Sequence, residues 1–114
     1  MSRRQIQVAE LIKRELSGIL ERHLDRSPST LVTINEVVIS PDFLEAKVYV
    51  SIFPEEESKR VFKEMELKKN DFYSLLFKKL KMKIVPKIQF HLDWRPKEAD
   101  KVEKIIKKLQ NESK

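Results

Sequence analysis

Apolar residues recur every three or four positions from about Arg4 to His23, at Val8, Ala9, Ile12, Leu16, Ile19 and Leu20. That spacing lines one face of a helix. The other face carries Arg3, Arg4, Lys13 and Arg14 among Glu10, Glu15 and Glu21. Gly18, the only glycine, falls inside this helix. A helix-interior glycine costs about 1 kcal/mol relative to alanine, so a close approach by a strand or another helix is expected there. After a loop at 23–29 the period changes from that of a helix to that of a strand. The first strand is expected at Leu31–Ile39, where Val32 and Ile34 share a face and Val37 and Ile39 have changed phase. One extra residue in a bulge near Asn35-Glu36 would return them to the same side. Ser40-Pro41-Asp42 supplies turn chemistry. Ala46, Val48, Val50 and Ile52 then alternate with Lys47, Tyr49, Ser51 and Phe53, so the second strand closes a hairpin with one buried face.

Glu55-Glu56-Glu57 suits the positive end of a helix dipole and opens the next helix, whose buried side is Val61, Phe62 and Met65. Lys68-Lys69-Asn70 interrupts it, with Asn70 expected either as a left-handed residue closing one helix or as the N-cap of the next. In the following helix Phe72, Leu75, Leu76 and Leu80 face inward, Tyr73 and Phe77 flank them, more often core at this spacing than rings for stacking on bases, and Ser74, Lys78 and Lys81 face out. Pro86 stops any continuation, and Ile88, Phe90, Leu92 and Trp94 give a last strand. Val102, Ile105, Ile106 and Leu109 predict a final helix. The order of elements implies an α+β fold: a three-stranded sheet with helices over one face, one domain across residues 1–110, and a frayed tail at 111–114.

Charge changes the picture most. Residues 59–83 hold nine cations (Lys59, Arg60, Lys63, Lys68, Lys69, Lys78, Lys79, Lys81, Lys83) against Glu64, Glu66 and Asp71, an excess equal to the net +6 of the whole 114-residue chain. Positive charge gathered around a helix break points to a polyanion, nucleic acid first, because phosphates give a basic face affinity without a pocket. No apolar run reaches the roughly 20 residues of a membrane span, so no membrane insertion is expected. Cysteine is absent, which excludes disulfides and thiolate sites and fits a cytoplasmic location. The start of the chain has no apolar signal segment, and Glu10 and Glu15 argue against a transit peptide. A phosphate-cradling loop needs several glycines, so nucleotide hydrolysis and acylphosphatase-type chemistry are disfavoured. His23 and His91 fall on different elements without a partner at ligand spacing. Neither a catalytic residue, a metal, a cofactor nor a small-molecule substrate is expected. A protein-interaction adaptor using Trp94 and the last helix is the remaining class, and its binding would be insensitive to salt.

Val32-Thr33-Ile34-Asn35-Glu36-Val37-Val38-Ile39-Ser40-Pro41-Asp42 followed by Ala46-Lys47-Val48-Tyr49-Val50-Ser51 is similar to the strand signature of the ribosome-binding factor A family. Leu80-Lys81-Met82-Lys83-Ile84-Val85-Pro86 leading to Phe90 and Asp93 resembles its second signature, and Val8 through Leu20 its first helix. The resemblance implies a type II KH-like fold with a mixed sheet, in which a helix-break-helix replaces the glycine loop of ordinary KH domains. The family's break usually reads Ala-x-Gly; Lys68-Lys69-Asn70 stands there, and Gln7 stands where a second Arg often follows Arg4. It further implies a monomeric, non-enzymatic assembly factor that binds the free, immature small ribosomal subunit at its rRNA near the 5′-terminal helix and promotes late maturation and rRNA processing. Family members are associated with growth at low temperature. The RNA-binding residues expected on this basis are Arg3, Arg4, Lys13, Lys68, Lys69, Asn70, Lys78 and Lys81. The alternative is a KH-like single-stranded RNA binder without a ribosomal role.

Overall fold

The computed structural model describes residues 1–25 and 27–93. Its first helix, α1 (Arg3–His23), is capped by Ser2: the Gln5 backbone amide donates to Ser2 Oγ at 3.2 Å, and the Ser2 backbone amide donates to Gln5 Oε1 at 2.7 Å. Gln5 is itself buried, and its Nε2 donates to the Ile39 carbonyl at 2.8 Å. A polar residue thus fastens the first turn of α1 to the last residue of strand β1 (Leu31–Ile39). Further along, Lys13 Nζ reaches the Asn35 carbonyl at 3.4 Å, so helix and strand run antiparallel.

β1 pairs antiparallel with β2 (Glu45–Phe53), Leu31 opposite Phe53 and Ile34 opposite Val50; the register then slips, so that Glu36 meets Tyr49. The expected bulge is therefore present, at Asn35, and Ile34, Val37 and Ile39 all reach the core. Asn35 Nδ2 donates to the buried Asp93 at 3.2 Å, which ties the bulge to the residue just past strand β3 (Lys87–Leu92). β3 lies parallel to β2, Glu45 opposite Lys87 and Val48 opposite Phe90, giving a mixed sheet in the order β1-β2-β3.

A parallel pair needs a crossover, and the chain makes it with a 3-10 turn at Glu55–Glu57, α2 (Ser58–Leu67), α3 (Lys69–Leu80) and an extended run to Lys87. α1 packs on β1 and α3, and α2 on β2 and β3, so the helices share one face of the sheet. Ile12, Leu16, Val61, Met65, Phe72 and Leu76 join Ala46, Val48, Val50, Ile88 and Phe90 in one apolar cluster. Phe72 meets Phe90 edge to face, centroids 6.5 Å apart. On the opposite face Tyr49 stacks on His91 at 5.4 Å. Among the described residues no helix is long and apolar enough to cross a membrane.

Four expectations change. The break is a single residue: Lys68, at φ −97° and ψ 5°, donates its amide to the Glu64 carbonyl at 3.0 Å to close α2 and accepts from the Phe72 amide at 3.0 Å to open α3. Any L-residue tolerates that conformation, so the corner needs neither glycine nor a left-handed asparagine. Asn70 is neither the left-handed residue nor the N-cap; it lies in the first turn of α3. Among the described residues the atoms nearest to a Cβ at Gly18 belong to the Arg22 guanidinium of the same helix, at 3.2 Å, and not to a strand or a second helix. Phe77 is 46% exposed and stands outside the core. The last strand is described to Leu92 and the chain to Asp93; Trp94 and the helix expected from Val102 lie outside the described residues.

Because Gly18 meets only a flexible side-chain end, Gly18→Ala should raise stability by about 0.5–1 kcal/mol, read as a higher thermal midpoint. The turn between β1 and β2 carries a second expectation. Ser40 Oγ donates to Asp42 Oδ1 at 2.6 Å and the Leu44 amide donates to it at 3.0 Å, which together hold the Asp42 carboxyl below its ordinary value of 3.8. A lowered folded value means a contribution present above pH 3.8 and lost as pH falls through the folded pKa. Denaturant titrations of wild type and Asp42→Asn should therefore differ near neutrality and converge in acid.

Candidate nucleic-acid interface

α3 is 12 residues long, about 18 Å at 1.5 Å per residue, and it crosses from the β3 side of the molecule to the start of α1. Its two ends carry different chemistry. At the first end a groove of about 320 Å³ opens between Lys69, Asn70 and Tyr73 on α3 and Lys87, Ile88 and Gln89 on β3, with Glu45 at its rim. Among the described residues β3 is an edge strand, with the backbone N–H and C=O groups on the side away from β2 unpaired by any other strand. Tyr73 is half-buried, its hydroxyl donates to the Val85 carbonyl at 2.5 Å, and its ring stacks on Phe77 at 6.5 Å. One side chain therefore anchors the segment leading into β3 and offers an aromatic wall to the groove.

The eight expected residues are not one uniform patch. Lys69 and Asn70 line this groove. Lys68 stands at the corner, paired with Glu64 at 3.4 Å, and Lys69 is paired with Glu66 at 3.7 Å. The more exposed Lys69–Glu66 pair contributes about 0–1 kcal/mol, so a phosphate can take the place of that carboxylate, whereas the Lys68–Glu64 pair is half-buried. Lys78 and Lys81 are exposed at the far end of α3. Arg4 is there too, on a separate groove that it shares with Lys83. Arg3 is exposed in the same first turn of α1. Lys13 stands apart, turned to the Asn35 carbonyl on β1, with β2 between that strand and β3. Arg3, Arg4, Lys78, Lys81, Lys83 and Lys87 have no carboxylate within ion-pair distance among the described residues. Lys59 and Lys63, exposed on α2, lack one as well, so among the described residues uncompensated cations stand on both sides of the corner and continue to the end of α3 and the start of β3.

Sequence reasoning missed Lys87 and Gln89 as groove residues, and it ranked base stacking by Tyr73 below a core role. Lys87 and Gln89 have the alternation of ordinary outward strand positions, and the only local signal is that Lys87 directly follows Pro86. Tyr73 lies beside a core stripe, where a ring that is half in the core and half in a groove has the same spacing as a core residue. Neither position could be assigned without knowing that α3 folds back beside β3. Among the described residues no group of three or more His, Asp or Glu side chains is placed to hold a metal ion.

Comparison with known proteins agrees with this geometry. A family model described as ribosome-binding factor A matches residues 4–106. The chain is 39% identical over 116 residues to ribosome-binding factor A of Chloroherpeton thalassium, an alignment spanning 99% of this chain and 92% of that protein. The crystal structure of ribosome-binding factor A from Thermus thermophilus matches with a TM-score of 0.67 and 25% identity, over 80% of this chain and 97% of that one. A homology model of the Thermus thermophilus factor, as fitted into the cryo-EM map of its complex with the 30S subunit, shares the fold with a TM-score of 0.61 at 23% identity, over 75% and 91% of the two chains. The α+β arrangement is the KH-like one of these structures. With sequence signatures, fold and family match all running across the same residues, the chain belongs to the ribosome-binding factor A family.

Proposed function

We propose that this protein is a non-enzymatic assembly factor that binds the immature small ribosomal subunit through its rRNA, near the 5′-terminal helix, and promotes late maturation and rRNA processing before it leaves. It acts as a cytoplasmic monomer, without cofactor or small-molecule substrate, and supports growth at low temperature. Family membership supports the ribosomal part of this reading. The observation that carries the RNA part is the groove at the start of α3, where Lys69, Asn70 and Lys87 surround the aromatic wall of Tyr73 beside an edge strand.

The mechanism follows from what each group recognises. Lys69 and Lys87 supply point charges for phosphates, and Lys78 and Lys81 extend the cationic track along α3. Tyr73 and the polar edge of β3 contact bases that are not stacked in a duplex. Phosphate and shape recognition dominate, which suits a factor that holds rRNA in one arrangement rather than reading a long sequence. Arg3 and Arg4 add charge at the end of this track, and Lys13 is positioned for a separate contact beyond β1.

In sucrose gradients the protein should travel with free small subunits and be absent from full ribosomes; a distribution following total RNA would favour the KH-like binder without a ribosomal role. Replacing Lys78 and Lys81 by Ala should weaken binding to purified small subunits. It should also reduce the slope of log affinity against log salt by about 0.7–0.9 for each phosphate no longer neutralised. An unchanged slope would show that these two lysines do not touch phosphate.

A further inference from the structure

A second groove, of about 420 Å³, lies where the start of α1 meets the segment that follows α3. Its walls are the apolar side chains of Val8, Phe43, Met82, Ile84 and Pro86, and its charged groups are Arg4 and Lys83. No carboxylate lines it, and neither cation has an acidic partner among the described residues. Ile84 is 62% exposed, an unusual position for a large aliphatic side chain in so charged a surface.

Three local choices around this groove work against the stability of the chain. Lys81 closes α3 at φ 51°, a left-handed position where glycine is favoured, and it leads directly into Met82. Phe43, which forms one wall, also has a positive φ, 59°, rare for a bulky residue. Arg3 and Arg4 occupy the first turn of α1, which contains no acidic residue, at the end of the helix dipole that repels cations. Each choice is explicable alone; their coincidence about one groove marks a place where local stability yields to another requirement.

We propose that this groove takes one unstacked nucleobase of the RNA that occupies the groove at the start of α3, with Arg4 and Lys83 on the phosphates flanking that base. The proposal rests on the RNA-binding reading above and extends it to a second subsite. Proximity favours RNA: the buried Pro86 forms the inner wall of this groove and the next residue, Lys87, lines the other, so the two grooves are one residue apart along the chain. The chemistry agrees, because apolar walls between two cations match the phosphate-base-phosphate sequence of a single nucleotide, and bases in single strands are splayed out and held in this way. The volume falls within the range of about 300–1,000 Å³ usual for small-ligand sites.

The test uses the full-length protein, labelled at its Ile, Val and Met methyl groups. It is titrated with a random-sequence single-stranded RNA octamer and with an abasic ribose-phosphate octamer. The proposal requires the methyl signals of Val8, Met82 and Ile84 to move on saturation with RNA and to stay in place with the abasic chain. Ile84→Ser, a neutral change at an exposed position, should weaken RNA binding about tenfold while leaving affinity for the abasic octamer within about twofold. RNA shifts confined to Lys69–Tyr73 and Lys87–Gln89 would overturn the second subsite and leave the RNA-binding reading intact. Failure of either octamer and of purified small subunits to bind would overturn both. If Ile84→Ser left octamer affinity unchanged but reduced association with small subunits, the groove would hold a protein segment and the base-binding proposal would be wrong.

Discussion

The parallel pairing of β3 with β2 is the constraint from which the rest of the architecture follows. Two parallel neighbours cannot be joined by a tight turn, so the chain must travel from Phe53, at one end of the sheet, back to Lys87 at the other. It does so with two short helices whose shared residue, Lys68, completes hydrogen bonding for both. Turning at Lys68 sets α3 across the molecule rather than along the sheet, with its start beside β3 and its end beside α1. Both grooves are consequences of that crossing, since each is walled by α3 or the segment that follows it and by whatever element α3 has been brought against.

The distribution of charge follows the same geometry. Cations at the corner sit one helical turn from acids on α2, so Lys68 and Lys69 find Glu64 and Glu66. Past the corner there are few acids: α3 has only Asp71, in its first turn, and the segment from Lys81 to Lys87 has none. Among the described residues, Lys68 and Lys69 at the bend have acidic partners, while the cations along α3 to the next strand, like Lys59 and Lys63 on α2, have none. A basic composition alone would not distinguish this from cations spread evenly.

The joints of the fold are polar although its interior is not. Gln5 fixes α1 to β1, Asn35 at the bulge engages Asp93, and Asp42 gathers Ser40 and Leu44 in the turn between the strands. These contacts occur where an element begins, ends or is interrupted, and where backbone groups lack partners within the element. They fix how elements meet, while apolar burial makes them meet.

Periodicity was sufficient for the elements. Spacing alone placed α1, both strands of the hairpin, the bulge near Asn35 and the inward face of Phe72, Leu76 and Leu80, because a buried face imposes its period on the residues that supply it. Motif resemblance supplied the KH-like topology and the family, and the excess of lysines near the bend was already legible. Side chains serving two environments were not: Tyr73 reads first as core, Phe77 reads as core and is exposed, and Lys87 reads as an ordinary polar residue at the start of a strand. The same holds for Asn70, whose intrinsic tolerance of left-handed backbone was never required once Lys68 took an ordinary conformation. Sequence by itself determined which residues are helix, which are strand and which faces turn inward, since those depend on neighbours a few positions away. The crossing of α3, the pairing of cations with particular acids and the joining of Arg4 to Lys83 were decided only by tertiary structure, because each depends on residues brought together from distant parts of the chain.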